Sequence, residues 1–253
     1  MTSAPDLLRP ARLMLWSAPR SRSTAFFRMM AERGDFTVVH EPFSYLGEFG
    51  HTDVGGTRVS SAAELLGALR GFPGPVFAKE TTGHRYPEVV ADPAFLSGMT
   101  HTFLIRDPRE TIPSYLNLYP GAPVEKIGYE SLHEIYTAVT RLTEREPVVI
   151  DAGDLMRNPA GTVAAYCAGA GIPFIPEALT WEPAQRPEWQ PSRRWHEAVA
   201  ASSGLGTASV SSPDPGPGPA VSAYLRHHLP YYEALRAGSF FINGQLRMLC
   251  LAV

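Results

Sequence analysis

Apolar residues along this chain fall in short unbroken runs, set apart by longer stretches with apolar positions at helical spacing. The runs at 12–16, 36–40, 76–79, 102–105 and 148–151 end at turn residues and read as strands. Between them, 24–33, 64–69, 109–118, 127–145 and 162–170 read as helices. Gly34 and Gly171 serve as stop signals, and Pro113 strains the third helix. Strands that are apolar throughout and separated by helices predict a parallel sheet covered on both faces. A further helix is expected at 221–236 despite Pro230. Residues 202–219, rich in Ser, Gly and Pro, read as a surface loop placed to cover a site. No internal repeat is visible.

The 253 residues suit one α/β domain, 1–253, with 181–253 as a C-terminal cap or loop region. A net charge of −3 leaves no electrostatic footprint for nucleic acid or an anionic membrane, so neither partner is expected. Any anionic ligand must be held by local basic side chains. Residues 1–10 lack the pattern of a signal peptide and no run of 18 apolar residues occurs, so a cytoplasmic location is expected. Lys79 and Lys126 are the two lysines among 22 Lys and Arg residues. With the abundant Ala, Gly and Pro, this fits the coding bias of a GC-rich bacterium and directs attention to Lys79 at a strand end. Cys167 and Cys250 form neither a disulfide framework nor a metal pattern. Cys167 reads as a small core residue. His227-His228 lacks the companion ligands of a metal pair, and no metal is expected.

Two segments carry candidate anion chemistry. Pro19-Arg20-Ser21-Arg22-Ser23-Thr24 follows the first strand and opens the first helix. Such a turn aims unpaired N–H groups at the positive end of a helix dipole. Arg20 and Arg22 add charge; Ser21, Ser23 and Thr24 add hydroxyls. The alternative is an ordinary helix cap at Ser23 or Thr24 with solvated arginines. The segment lacks GxxxxGK[ST], which lowers an ATPase or kinase reading. In the second segment a strand ends at Arg106, and Ser114 follows in the next helix. The planar guanidinium suits bidentate phosphate binding. Asp107 and Pro108 could equally be a cap and a first helical residue.

Together these segments resemble the phosphate-gripping elements of PAPS-dependent sulfotransferases, where PAPS is 3'-phosphoadenosine-5'-phosphosulfate. The resemblance implies a P-loop nucleotide-binding α/β fold with a central parallel sheet flanked by helices. It implies that Arg20 to Thr24 wrap the 5'-phosphosulfate, with Arg22 standing where the family usually has Gly. Arg106 and Ser114 would grip the 3'-phosphate. Arg193 or Arg194, in the cluster Arg193-Arg194-Trp195-His196, would close over it or otherwise lie on a solvated face. Residues 148–159 are similar to the family's Tyr-Glu-Asp-Leu strand end, but Ala152-Gly153 replace Tyr-Glu, so the aromatic for adenine is missing.

The implied reaction takes a sulfuryl group from PAPS to a hydroxyl of a small-molecule acceptor, in bacterial secondary metabolism, and releases 3',5'-ADP. It needs a base for the acceptor proton and cations for the developing charge. Glu41, after the second strand, matches the catalytic glutamate of the Glu-dependent branches; His40 and His101 are the runners-up. Glu41 could instead merely pair with a loop arginine. Lys79 matches the lysine that stabilises the transferring group, with Arg20 beside it; the plain alternative is a Lys79–Glu80 surface face. Aromatics at Tyr45, Phe49, Tyr86 and Phe95 would suit an apolar acceptor pocket. Two rivals stand: an ATP-dependent P-loop phosphotransferase, and an inactive nucleotide-binding protein of the same fold. The sequence is silent on the acceptor and on oligomeric state.

Overall fold

A computed structural model describes residues 11–206, 219–239, 241–242 and 245–246. Strand β1 (Arg12–Ser17) leads through a tight turn into helix α1 (Ser23–Glu32), and β2 (Thr37–His40) into α2 (Pro42–Phe49). A hairpin, β3 (Thr52–Val54) and β4 (Thr57–Val59), precedes α3 (Ala62–Arg70) and β5 (Val76–Thr81). Short helices α4 (Pro87–Val90) and α5 (Pro93–Gly98) lead to β6 (Thr100–Ile105) and α6 (Pro108–Leu116). Then come α7 (Tyr129–Thr143), β7 (Val148–Asp151), α8 (Ala152–Arg157) and α9 (Pro159–Ala170). A 3-10 segment (Pro187–Trp195) precedes α10 (Glu197–Ala200), α11 (Pro219–Ala237) and the two-residue strands β8 (Phe241–Ile242) and β9 (Gln245–Leu246).

The five main strands form a wholly parallel sheet in the order β2-β5-β1-β6-β7. Alternation along each strand divides the core in two. Met14, Trp16, Ala78, Phe103 and Val149 face one layer, packed by α2 to α7 and α11. Leu13, Leu15, Phe77, Leu104 and Ile150 face the other, packed by α1, α8, α9 and the segment from 178 to 205. Both faces are covered, as the uniformly apolar strands require. Among the described residues, no helix is long and apolar enough to cross a membrane.

The chain runs outward from β1 to β2, returns to β5, and crosses to β6 on the other side of β1. A switch of direction leaves a crevice at the carboxyl ends of the central strands. The turns after β1, β2 and β6, with Lys79 inside β5, carry the candidate chemistry. Pro113 sits inside α6 without ending it. The hairpin turn rests on Gly55 and Gly56, both at positive φ. Phe72 lies 2.5 Å from where a Cβ on Gly55 would stand, so that position admits no side chain without movement.

Candidate active site

The turn after β1 is held in an unusual backbone. Arg20 and Arg22 both have left-handed conformations, with φ of 67° and 64°. An L-residue there costs about 1–2 kcal/mol. Arg22 occupies the cap position of α1 and no side chain caps the helix, so neither Ser23 nor Thr24 plays the ordinary capping role. The Ser21 hydroxyl is buried near the Tyr129 hydroxyl and makes no hydrogen bond of good geometry. An uncapped helix start, an unsatisfied hydroxyl and two arginines make a cradle that fits an oxyanion.

The second anion element is tied to the first. Arg106 Nη1 donates to the carbonyl of Arg20 at 3.0 Å, and Arg20 Nε donates to Ser114 Oγ at 3.1 Å. The remaining Arg106 nitrogens bind Glu110 Oε2 at 3.0 and 2.6 Å. Arg106 is buried, and its carbonyl accepts from the Tyr129 hydroxyl. Asp107 caps α6 by accepting from Arg109 N, with Pro108 as the first helical residue. Burial, and then the Arg106 charge, lower the pKa of Arg20 and of Arg22. Three guanidinium groups thus crowd one cleft, an arrangement that favours a multiply charged anion.

Glu41 follows the last residue of β2 and meets Lys79, which lies inside β5 and not at its end because the strand continues through Thr81; His40 is in register with Lys79. Lys79 Nζ donates to Glu41 Oε1. Glu41 is also left-handed, with φ 42° and ψ 51°, and caps α2 without a side-chain hydrogen bond. Backbone strain of this kind persists where the surroundings over-determine it and gathers at functional sites. Lys79 is 1% exposed and Glu80 is fully buried, so the two do not form a surface face. Glu41 pairs with Lys79 and not with an arginine of the β1–α1 turn.

A chain of polar side chains joins this pair to that turn. His40 Nδ1 bonds Tyr45 Oη at 2.9 Å, Tyr45 Oη bonds Ser192 Oγ at 2.6 Å, and Ser192 Oγ bonds His196 Nε2 at 2.9 Å. His196 Nδ1 then reaches Thr24 Oγ1 at 3.3 Å. His40 Nε2 is buried without a hydrogen bond, 4.0 Å from Glu41 Oε1. Burial, then Lys79, hold the His40 pKa well below its ordinary value. Burial, then the His40 and Lys79 charges, lower His196 to about 3. Both imidazoles are therefore neutral near pH 7. Ser192 is the member that sequence reasoning missed. Its signal is spatial, since Tyr45 and Ser192 lie 147 positions apart.

The other expected residues are placed as follows. Arg193 is exposed on the 3-10 segment that carries Ser192, and the side chain of Arg194 lies outside the described residues, as do 207–218 of the expected covering loop. His101 is a core residue: Nδ1 accepts from Trp16 Nε1 at 3.0 Å, and Phe95 packs on its ring. Phe95 is fully buried beside Phe43 and lines no acceptor pocket. Tyr86 is buried and donates to the Thr81 carbonyl. Tyr45 belongs to the polar chain, and Phe49 is exposed. His228 binds the Val124 carbonyl and His227 lies 3.3 Å from Glu130. Cys167 is a buried free thiol. Among the described residues, no group of His, Cys, Asp and Glu could hold a metal.

The family model described as a sulfotransferase domain matches residues 11–239. Two curated Arabidopsis thaliana proteins are similar. Branched-chain-amino-acid aminotransferase-like protein 1 is 30% identical over 245 residues, covering 91% of this chain and 42% of that protein. Its counterpart, protein 2, is 29% identical over 205 residues, covering 76% and 36%. The chain thus spans less than half the length of these relatives. Mouse sulfotransferase SULT7A1 complexed with PAP shares the fold at a TM-score of 0.50 and 12% identity, covering 92% of this chain and 90% of that one. The sulfotransferase domain from the curacin biosynthetic pathway aligns at a TM-score of 0.47 and 15% identity, covering 86% and 97%.

Proposed function

Since the chain belongs to the sulfotransferase domain family, whose model spans residues 11–239, we propose that it transfers the sulfuryl group of PAPS to a hydroxyl of a small-molecule acceptor, releasing 3',5'-ADP. The observation that supports this reading is a set of contacts linking the Arg20–Thr24 turn to Arg106 and Ser114 and, through the polar chain, leading towards the Glu41–Lys79 pair. Arg106 reaches the Arg20 carbonyl, Arg20 reaches Ser114, and the polar chain runs from Thr24 to His40 beside Glu41.

The donor, when bound, supplies an activated sulfuryl group on a phosphate leaving group. Arg20, Ser21, Arg22, Ser23 and Thr24 are the residues for its phosphosulfate end. The buried, unsatisfied Ser21 hydroxyl supports that fit. Arg106 and Ser114 are the residues for the 3'-phosphate, with Glu110, whose side chain is half exposed, giving up its hold on the Arg106 guanidinium. Arg193 and Arg194 would complete that grip. Glu41 accepts the acceptor hydroxyl's proton. Lys79, already on Glu41 Oε1, orients the carboxylate and with Arg20 offsets the charge that builds during transfer.

Calorimetry with 3',5'-ADP, 5'-AMP and ATP tests the reading. The expected result is tight binding of 3',5'-ADP and binding at least about tenfold weaker for the other two, as loss of a charge-assisted phosphate grip implies. Equal binding of all three, or none, would sink the donor assignment. Magnesium-dependent preference for ATP would favour a phosphotransferase. Tight 3',5'-ADP binding with no transfer to any hydroxyl would mark an inactive relative.

A further inference from the structure

Glu80 stands next to Lys79 on β5 and is fully buried. Its carboxylate collects four donors. Oε2 accepts from Phe43 N at 2.7 Å and Ser44 N at 3.1 Å. Oε1 accepts from Ser44 Oγ at 2.6 Å and Thr81 N at 2.9 Å. Phe43 and Ser44 lie in the first turn of α2, whose cap residue Glu41 supplies no side-chain bond. Helix starts leave such N–H groups unsatisfied unless something caps them. Here the cap comes from another strand.

We propose that Glu80 is a positioning residue for transfer: its carboxylate staples the first turn of α2 to β5 and so keeps Glu41 in its left-handed backbone, facing Lys79. This rests on the reading of Glu41 as the base. The main chain of Glu41 is fixed on one side by its own N–H on the Lys79 carbonyl at 2.7 Å. On the other side lie Pro42 and then the two amides held by Glu80. A strained conformation needs such two-sided restraint. With the staple removed, residues 42–44 can rotate and the strain at Glu41 can relax, carrying its carboxylate off the Lys79 ammonium.

Charge matters as well as geometry. The titratable groups around Glu80 are Glu41 and Tyr86, with Tyr45 further along α2. Burial, then the Glu41 charge, raise the Glu80 pKa to about 7, against the pull of Ser44 and Thr81. Each Glu80 oxygen accepts two hydrogen bonds, a role that Gln, with one acceptor oxygen, does not fill.

Glu80→Gln tests the proposal, with Ser44→Ala as the milder second variant that removes one of the donors. Three readouts apply to each: the crystal structure, 3',5'-ADP affinity by calorimetry, and single-turnover transfer from radiolabelled PAPS to 2-naphthol. We expect Glu41 to leave positive φ in Glu80→Gln and transfer to fall about 100-fold, since small misplacement costs this much. The 3',5'-ADP affinity should stay within about threefold, because the donor grips lie elsewhere. In Ser44→Ala the transfer loss should be smaller, with affinity equally preserved. If Glu41 keeps positive φ in both variants, or transfer stays within twofold of wild type in both, the proposal is overturned. Should Glu80→Gln fail to fold, Ser44→Ala decides by transfer and affinity, since both α2 amides still reach Glu80 in it. Wild type that neither binds 3',5'-ADP nor transfers would sink the functional reading instead, and the backbone of residue 41 in the variants still decides the staple.

Discussion

Glu41 and Lys79 are joined twice, by a main-chain hydrogen bond of 2.7 Å from Glu41 N to Lys79 O and by the contact of Lys79 Nζ with Glu41 Oε1. The first bond continues the β2–β5 ladder one residue past its end, and the second pairs a buried ammonium with a largely buried carboxylate. A buried ammonium is tolerated when a carboxylate answers it, and each group then fixes the other.

Replacing Lys79 with Met should therefore damage chemistry more than donor binding. Transfer from radiolabelled PAPS should fall about 10²–10³-fold, the usual cost of a preorganised charge-stabilising group. Calorimetry should find 3',5'-ADP affinity within about threefold of wild type, because Lys79 touches neither anion grip. A parallel loss of both would assign Lys79 to donor binding.

Glu41→Gln keeps the shape and removes the carboxylate that the proposed reaction uses as its base. A fall in turnover of about 10²–10⁴-fold is expected. If turnover stays within a few-fold, the proton goes elsewhere, and His40, with its unsatisfied Nε2 4.0 Å away, is the next group to replace.

Arg106→Lys tests the 3'-phosphate grip. Lysine keeps a charge but loses the planar fork. The preference for 3',5'-ADP over 5'-AMP should shrink by about 10- to 100-fold, as expected for loss of a charged hydrogen-bond pair. An unchanged ratio in calorimetry would place the 3'-phosphate away from Arg106.

The parts of this protein legible in its sequence are those whose physics is local. Strand β7 occupies the residues that its apolar run marks, and β1 extends one residue further, to Ser17, because buried parallel strands are apolar on both faces. Helix α2 and the β3–β4 hairpin were not legible. The cap of α2 comes from Glu80, 37 positions from Phe43, and no local pattern announces it. The same holds at the site. The turn at Arg20 to Thr24 is a contiguous signature, whereas the Arg20–Ser114 contact spans 94 positions and the Thr24–His196 contact 172. Phe95 was misplaced because an aromatic in a short segment looks alike in a core and in a pocket. Its contacts with Phe43 and His101 decide for the core.

Arg22 offers a test of strain. The position adopts φ 64°, which glycine takes freely and other residues take at a cost of about 1–2 kcal/mol. Arg22→Gly should thus be more stable than Arg22→Ala, which loses the same side chain and keeps the strain. Thermal unfolding should separate the two by about 2–8 °C in a chain of this size. Equal midpoints would mean that the turn relaxes once the arginine is gone.

Acid stability should depend on His101. Trp16 Nε1 donates to its Nδ1 at 3.0 Å, so the neutral ring carries its proton on Nε2, which faces the Phe95 carbonyl at 3.4 Å. Burial lowers its pKa from 6.5 to about 4. Between those values the unfolded chain binds a proton that the folded chain refuses, so stability falls as pH falls. The contribution is complete above pH 6.5 and is lost on the way down to about 4. A shift of this size corresponds to about 3 kcal/mol. Glu80 has the opposite slope, since its raised pKa makes the folded state the better proton binder between 4.5 and about 7. A variant comparison removes that background. Asn at position 101 keeps an acceptor oxygen for Trp16, gives up the long contact to the Phe95 carbonyl, and does not titrate. Urea unfolding of wild type and His101→Asn at pH 7 and pH 4.5 should show the wild type losing about 2–3 kcal/mol more than the variant. Equal losses would mean that His101 takes up its proton at the same pH in the folded and the unfolded chain, so that burial does not hold the ring neutral.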